Sequence, residues 1–73
     1  MVFDLDRVVK NYLEAKFGLT LDYFAIEGRM SPDEDGNIGV TGNYRKKTGD
    51  KKVFFTLTVN SQSSAISNLQ EYA

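Results

Sequence analysis

The sequence predicts an α+β fold in which one amphipathic helix packs on a three-stranded antiparallel meander, with a short C-terminal helix or an extended tail. Three observations lead to this prediction. Apolar residues recur at three- and four-residue spacing near the start of the chain, which is the period of a helix. Three later stretches alternate apolar and polar residues, which is typical of strands covered on one side. Short turn sequences join these stretches, and links of that length exclude a parallel crossover.

The predicted helix occupies the first part of the chain. Asp4 or Asp6 is suited to cap its amino end and to complement its dipole. Gly18 suits the left-handed position just past its carboxyl end. The apolar positions that would face the sheet are Leu5, Val8, Val9, Tyr12, Leu13 and Phe17.

The predicted strands lie in residues 21–30, 37–45 and 52–60, and residues 31–37 and 48–50 between them carry turn chemistry. Alternation assigns every second residue to the side that faces the helix. These residues are Phe24, Ile26, Gly28 and Met30 in the first strand, Ile38, Val40, Gly42 and Tyr44 in the second, and Val53, Phe55, Leu57 and Val59 in the third.

The last residues, 61–73, carry two conflicting signals. Serine, glutamine and asparagine are typical of a loop, whereas Ala65, Ile66, Leu69 and Tyr72 have helical spacing. We therefore expect a helix of one or two turns, or a tail, that closes an edge of the sheet or the core.

Length and composition predict a single domain over residues 1–73. The apolar share of 41% and the aromatic share of 12% argue against disorder. There is no cysteine, and neither a signal-peptide pattern nor an apolar run of membrane-spanning length, so we expect a cytoplasmic protein without a membrane partner. The charge is uneven: residues 1–43 hold four basic against eight acidic residues, and residues 44–73 hold five against two.

The residue types argue against catalysis. Without histidine or cysteine, the usual imidazole and thiol mechanisms are excluded, and we expect neither an enzyme nor a cofactor. Asp33-x-Asp35-Gly36 is similar to the middle of a calcium loop, but strands flank it and the twelfth position of the loop is Gly42. Asp33 and Asp50, which are spaced like the carboxylates of a nuclease motif, would lie at opposite ends of the sheet. No metal site is predicted.

The side of the sheet that faces away from the helix is the predicted contact surface. Phe54 is a large apolar ring on this side, and Lys46, Lys47, Lys51 and Lys52 bracket the second turn. We expect an adaptor, inhibitor or accessory domain that binds a protein through this face or through an exposed edge strand. The predicted partner-binding residues are Tyr23, Arg29, Asn43, Arg45, Lys46, Lys47, Lys51, Lys52, Phe54 and Thr56.

Three alternatives stay open for this surface. Single-stranded nucleic acid or RNA would stack on Phe54 and Tyr23 and place its phosphates on the basic hairpin. The C-terminal segment would fold over the face, or a second copy of the chain would pack on it. For the basic hairpin itself, the alternative to phosphate contacts is that its lysines only keep the edge of the sheet soluble and block strand pairing.

The predicted order of elements resembles that of double-stranded-RNA-binding domains. Those domains open their last helix with a basic stretch, whereas residues 61–73 contain no lysine or arginine. The order also resembles half of a cystatin-like fold, in which a curved sheet grips one helix. That likeness carries no motif and implies no function.

Overall fold

The computed structural model, which describes residues 4–72, contains one helix and one four-stranded antiparallel sheet. The strands lie in the sheet in chain order, so each pairs with the next. The α+β class is confirmed, but the prediction of three strands is wrong because the C-terminal segment forms a fourth. The elements are α1 (Leu5–Phe17), β1 (Tyr23–Arg29), β2 (Asn37–Arg45), β3 (Val53–Asn60) and β4 (Ile66–Tyr72).

Local sequence determines both ends of α1. The side chain of Asp4 accepts a hydrogen bond from the N–H of Arg7 at 3.2 Å, which satisfies one free donor of the first turn. At the other end Gly18 has φ +70° and donates its N–H to the carbonyl of Glu14 at 2.8 Å. Both predicted caps are confirmed.

The core lies between α1 and one face of the sheet. Each successive turn of α1 contributes a buried apolar residue. In β2 and β3 every second residue is buried against the helix. The two central strands therefore supply most of the sheet's share of the core. Its buried apolar members are Leu5, Val9, Leu13, Leu21, Ile38, Val40, Tyr44, Phe55, Leu57 and Val59.

The β1–β2 and β2–β3 connections lie at opposite ends of the sheet. In the first, Asp33 Oδ1 accepts the N–H groups of Asp35 and Asn37, both at 2.9 Å. In the second, the N–H of Asp50 bonds to the carbonyl of Lys47 at 3.1 Å. A strand of about nine residues separates the two connections by roughly 30 Å.

A β-bulge at Glu27 reverses the side of the sheet to which the residues at the end of β1 point. Ile26 pairs with Gly42 and Gly28 pairs with Thr41, so Glu27 is an extra residue in β1. The prediction that Gly28 and Met30 face the helix and that Arg29 faces away is therefore wrong. Each of the three lies on the opposite face, because the alternation is reset at the bulge.

The fourth strand contains a second bulge. Thr56 pairs with Gln70 and Thr58 pairs with Ser67, so two residues of β4 lie opposite Leu57. Asn68, one of these two, has φ +57°. Of the two alternatives predicted for this segment, the helix is wrong for residues 66–72 and the extended segment at an edge of the sheet is observed; Ala73 lies outside the described residues.

A hydrogen bond ties β4 to the core. The hydroxyl of Tyr44, which is buried in β2, donates to the carboxylate of Glu71 in β4. Burial of the ring, together with this carboxylate, raises the pKa of Tyr44 above its ordinary value of 10.0. The neutral phenol is therefore the form that the folded chain holds.

Replacing Tyr44 by phenylalanine is expected to cost about 1–2 kcal/mol at neutral pH, because a hydrogen bond to a charged acceptor is lost. The difference between the two proteins should shrink above pH 10. In the unfolded wild type the Tyr44 phenol loses its proton near its ordinary pKa, whereas the folded protein retains it, so stability falls by up to about 1.4 kcal/mol per pH unit. Urea unfolding at intervals between pH 7 and pH 11 measures both effects. Parallel curves for the two proteins would contradict the assignment.

Candidate functional site

We define the outer face as the side of the sheet opposite α1. Its residues alternate along each strand with the buried residues of the core, apart from the shifts at the two bulges. Cross-strand pairs such as Asn43–Phe54 and Phe54–Tyr72 connect its rows. Its members are Tyr23, Ala25, Gly28, Met30, Gly39, Thr41, Asn43, Arg45, Lys52, Phe54, Thr56, Thr58, Ser67, Asn68, Gln70 and Tyr72.

The large apolar side chains that are exposed among residues 4–72 all lie on the outer face. Met30 is 72% exposed, Phe54 49% and Tyr72 50%. Phe54 and Tyr72 are directly opposite each other on β3 and β4, near the end of the sheet that carries the β2–β3 connection. Met30, the residue that follows β1, lies beside Gly39, toward the other end. The predicted outward position of Phe54 is confirmed, and β4 extends the sheet rather than covering this face.

A shallow groove occupies the half of the outer face that includes Met30. Gly28 and Gly39 lack side chains, and threonines at 41, 56 and 58 form much of the remaining lining together with Asn68 and Gln70. The groove exists because the bulge at Glu27 turns Gly28 outward. Thr56, a predicted contact residue, lies here and is half-buried.

Charged side chains surround Tyr23 at the opposite end of the outer face. The Lys52 ammonium lies 4.2 Å from the centre of the Tyr23 ring. Arg45 forms an ion pair with Asp22, with the closest nitrogen and oxygen 2.6 Å apart. Hydrogen bonds from Thr48 and then from Arg45 lower the pKa of Asp22, so this carboxylate stays ionised in the pair.

The basic residues of the β2–β3 connection do not form one surface. The Lys46 ammonium lies 4.0 Å from the centre of the Phe17 ring, which belongs to α1 on the core side of the sheet. Lys52 lies on the outer face, and Lys47 and Lys51 are exposed between them. The structure therefore brings Lys52 and Arg45 close to Tyr23 but places Lys46 on the other side.

Two predicted contact residues are unsuited to that role. Asn43 lies on the outer face but is only 2% exposed, and its amide donates a hydrogen bond to the carboxylate of Glu27. Arg29 follows the bulge, pairs with Val40 of the core and lines a polar cleft beside the start of α1. Asn43 is therefore not exposed as predicted, whereas Arg29 is exposed but lies on the side of the sheet that carries α1.

The two large apolar residues of the outer face other than Phe54 were missed by sequence reasoning. Tyr72 was assigned to a helix because its spacing from Leu69 and Ile66 is helical, and Met30 was assigned to the core because the alternation was continued through Glu27. For Tyr72 a signal exists in Asn68, since asparagine is one of the residues that most often takes a positive φ at a bulge. For the bulge in β1 the signal is Gly28, because a glycine inside a strand often marks a bulge.

The acidic residues of the β1–β2 connection lie at the groove end of the sheet. The N–H of Asn37 and then that of Asp35 lower the pKa of Asp33, so its carboxylate stays ionised. Glu34 and Asp35 are exposed next to it. Within residues 4–72, no group of three or more carboxylates is arranged to hold a metal ion.

The helix is short and amphipathic. No helix in residues 4–72 has the length and apolar character required to cross a membrane.

Comparisons of the chain with protein-family models, with curated proteins and with solved structures gave no significant match.

Proposed function

We propose that this chain is a non-enzymatic protein-binding domain that contacts its partner through the outer face of the sheet. The observation that carries the proposal is the position of Met30, Phe54 and Tyr72 on one side of a small sheet. Large exposed apolar residues that gather on one face, with polar residues around them, are typical of interaction surfaces.

The half-exposed aromatic pair provides the anchor in this proposal. Phe54 and Tyr72 lie side by side on neighbouring strands, and rigid aromatic side chains dominate the energetics of many interfaces. Thr56 and Gln70, which are the next outer-face pair along β3 and β4, supply polar groups beside them. Tyr23, Arg45 and Lys52 would form a charged rim.

Binding of single-stranded nucleic acid is the second candidate, and the geometry favours it less. A stacking base would have to displace the Lys52 ammonium from the Tyr23 ring. Lys46 would be directed away from a strand bound on the outer face. Phe54 is nevertheless available for stacking, so the candidate requires its own measurement.

A capture experiment with matched variants tests the protein-binding proposal. Phe54→Ala removes the anchor, and Lys10→Ala alters an exposed side chain of α1 on the opposite side of the molecule. We expect a partner that is retained from a lysate by the wild type and by Lys10→Ala but not by Phe54→Ala. Titration of the purified partner should then show affinity at least about tenfold weaker for Phe54→Ala, as is usual for an interface anchor.

Two outcomes would contradict the proposal. One is equal capture by all three proteins, which would place the contact elsewhere. The other is tight binding of labelled single strands with a steep dependence on salt, which would favour the nucleic-acid candidate.

A further inference from the structure

We propose that the partner of the outer face is a second copy of this chain, packed sheet against sheet with its strands reversed. This inference rests on the proposed function, because it identifies the partner of the same surface. The two-fold axis would lie between the sheets and run across the strands. Such an axis places β1 over β1 and β4 over β4 while exchanging the two ends of the sheet.

The shape of the outer face fits this arrangement. One half carries the projecting side chains of Phe54 and Tyr72, and the other half carries the groove lined by Gly28 and threonines, with the exposed Met30 side chain over Gly39. Exchange of the two ends brings the projecting half of each copy over the groove of the other. In this arrangement Phe54 lies over the row that contains Gly39 and Thr58 of the second copy, where its ring would pack beside the flexible Met30 side chain.

The charges at the two ends fit the same arrangement. The β2–β3 connection carries Lys46, Lys47, Lys51 and Lys52 against a single Asp50, and the β1–β2 connection carries three adjacent acidic residues, 33–35. Reversed strands place the basic connection of each copy beside the acidic connection of the other. Parallel strands would place like charges together at both ends, which disfavours that alternative.

Local hydrogen bonds hold both charged connections in place before any association. The hydroxyl of Thr48 donates to Asp22 at 2.8 Å, which fixes the basic connection to the residue just before β1. The Asn60 amide donates to the carbonyl of Asp35 at 3.0 Å, which fixes the acidic connection to the end of β3. Preorganised groups lose less conformational entropy on binding.

The size of the face is sufficient for a dimer of modest affinity. Four strands about 4.8 Å apart, each about eight residues long at about 3.3 Å per residue, make a face of roughly 500 Å². Two such faces bury about 1,000 Å² in total, which is the lower limit for a specific interface. Pairing through an edge strand is a weaker alternative, because bulges at Glu27 and Asn68 interrupt the strand at each edge of the sheet.

Sedimentation equilibrium of four proteins tests the inference. The first is the wild type, and the second carries Lys47→Glu and Lys51→Glu. The third carries Glu34→Lys and Asp35→Lys, and the fourth carries all four changes. These side chains are exposed and are chosen to leave the Asp33, Thr48 and Lys52 contacts intact.

We expect the wild type to dimerise between about 10 μM and about 1 mM protein in low salt, where screening is weak. Each half-reversed variant should dimerise at least about tenfold more weakly, since two like-charged ends meet. Mixing the two half-reversed variants should restore association, and the fully reversed variant should dimerise like the wild type. This pattern of loss and recovery is the one expected when opposite ends meet.

The results separate this inference from the proposed function. A wild type that stays monomeric at about 1 mM, well above a micromolar dissociation constant, would overturn the inference. Equal dimerisation of all four proteins would overturn the reversed arrangement. If the wild type is monomeric but Phe54→Ala still abolishes capture of a different protein, the proposed function stands and the second copy is excluded. If the wild type is monomeric and Phe54→Ala captures the same proteins as the wild type, both proposals fail.

Discussion

Replacing Phe55 by alanine is expected to lower the free energy of unfolding by about 3–5 kcal/mol, which is the usual cost of removing a buried aromatic ring. Phe55 is 1% exposed, and its ring lies 6.1 Å from that of Phe24 and 6.0 Å from that of Tyr44 between centroids. A chain of this length has a total stability of about 4–11 kcal/mol. The substitution therefore removes a large share of the total, and urea unfolding followed by circular dichroism measures it.

The neighbouring residue provides the matched control. Phe54→Ala removes the same ring from the outer face, where it is 49% exposed, and should cost about 1 kcal/mol or less at a concentration where the chain is monomeric. The two variants have the same composition and differ only in the face that loses a ring. Equal costs for both would contradict the assignment of faces in β3. If Phe55→Ala does not fold, Phe55→Leu should still be less stable than Phe54→Leu.

This contrast follows from the part of the structure that the sequence predicts best. In β2 and β3 the alternation continues without interruption, so Tyr44, Phe55 and Phe54 lie on the predicted faces. Both are central strands covered by α1 on one side, which makes the apolar pattern regular. The helix is equally clear because its caps, Asp4 and Gly18, coincide with the ends of the apolar stripe.

The edge strands were harder to predict because each contains a bulge. In β4 the extra residue places Ile66 and Leu69 on the same face although they are three positions apart, and this spacing is also that of a helix. Asn68, with its positive φ, is the local cause. Bulges are frequent at the edges of sheets, where no second neighbour enforces the register. The periodicity argument therefore failed at the edge strands and not in the centre.

The same bulges explain which parts of the candidate site were predicted. Phe54 and Thr56 belong to regular β3 and were placed on the correct face. Arg29 and Met30 follow the bulge at Glu27, so each was assigned to the wrong face. Asn43 is buried and donates a hydrogen bond to Glu27, a contact between strands that no pattern within one strand reveals. Whether the outer face binds a partner stays a prediction.

Replacing Gly42 by alanine is expected to cost about 3 kcal/mol, at the upper end of the range for overpacking. A Cβ at this position would overlap the carbonyl oxygen of Ala25 and would lie 2.9 Å from Cζ of the Phe55 ring. Neither atom can move without separating β1 from β2 or displacing a buried ring. The sequence places Gly42 on the side of the sheet that faces the helix, and the close approach of Ala25 and Phe55 is the structural reason for a glycine there.

Gly39→Ala is the matched control, because Gly39 lies in the same strand on the outer face. Its Cβ would lie 3.1 Å from the sulfur of Met30, which is an exposed and flexible side chain that can move aside. Because alanine also restricts the unfolded chain more than glycine does, we expect a change within about 0.5 kcal/mol. Thermal unfolding of both variants at low concentration compares the stability cost of a methyl group at Gly42, which faces the core, with that of a methyl group at Gly39, which faces the groove. A cost for Gly39→Ala that matched the cost for Gly42→Ala would mean that the Met30 side chain is held over Gly39 and cannot move aside.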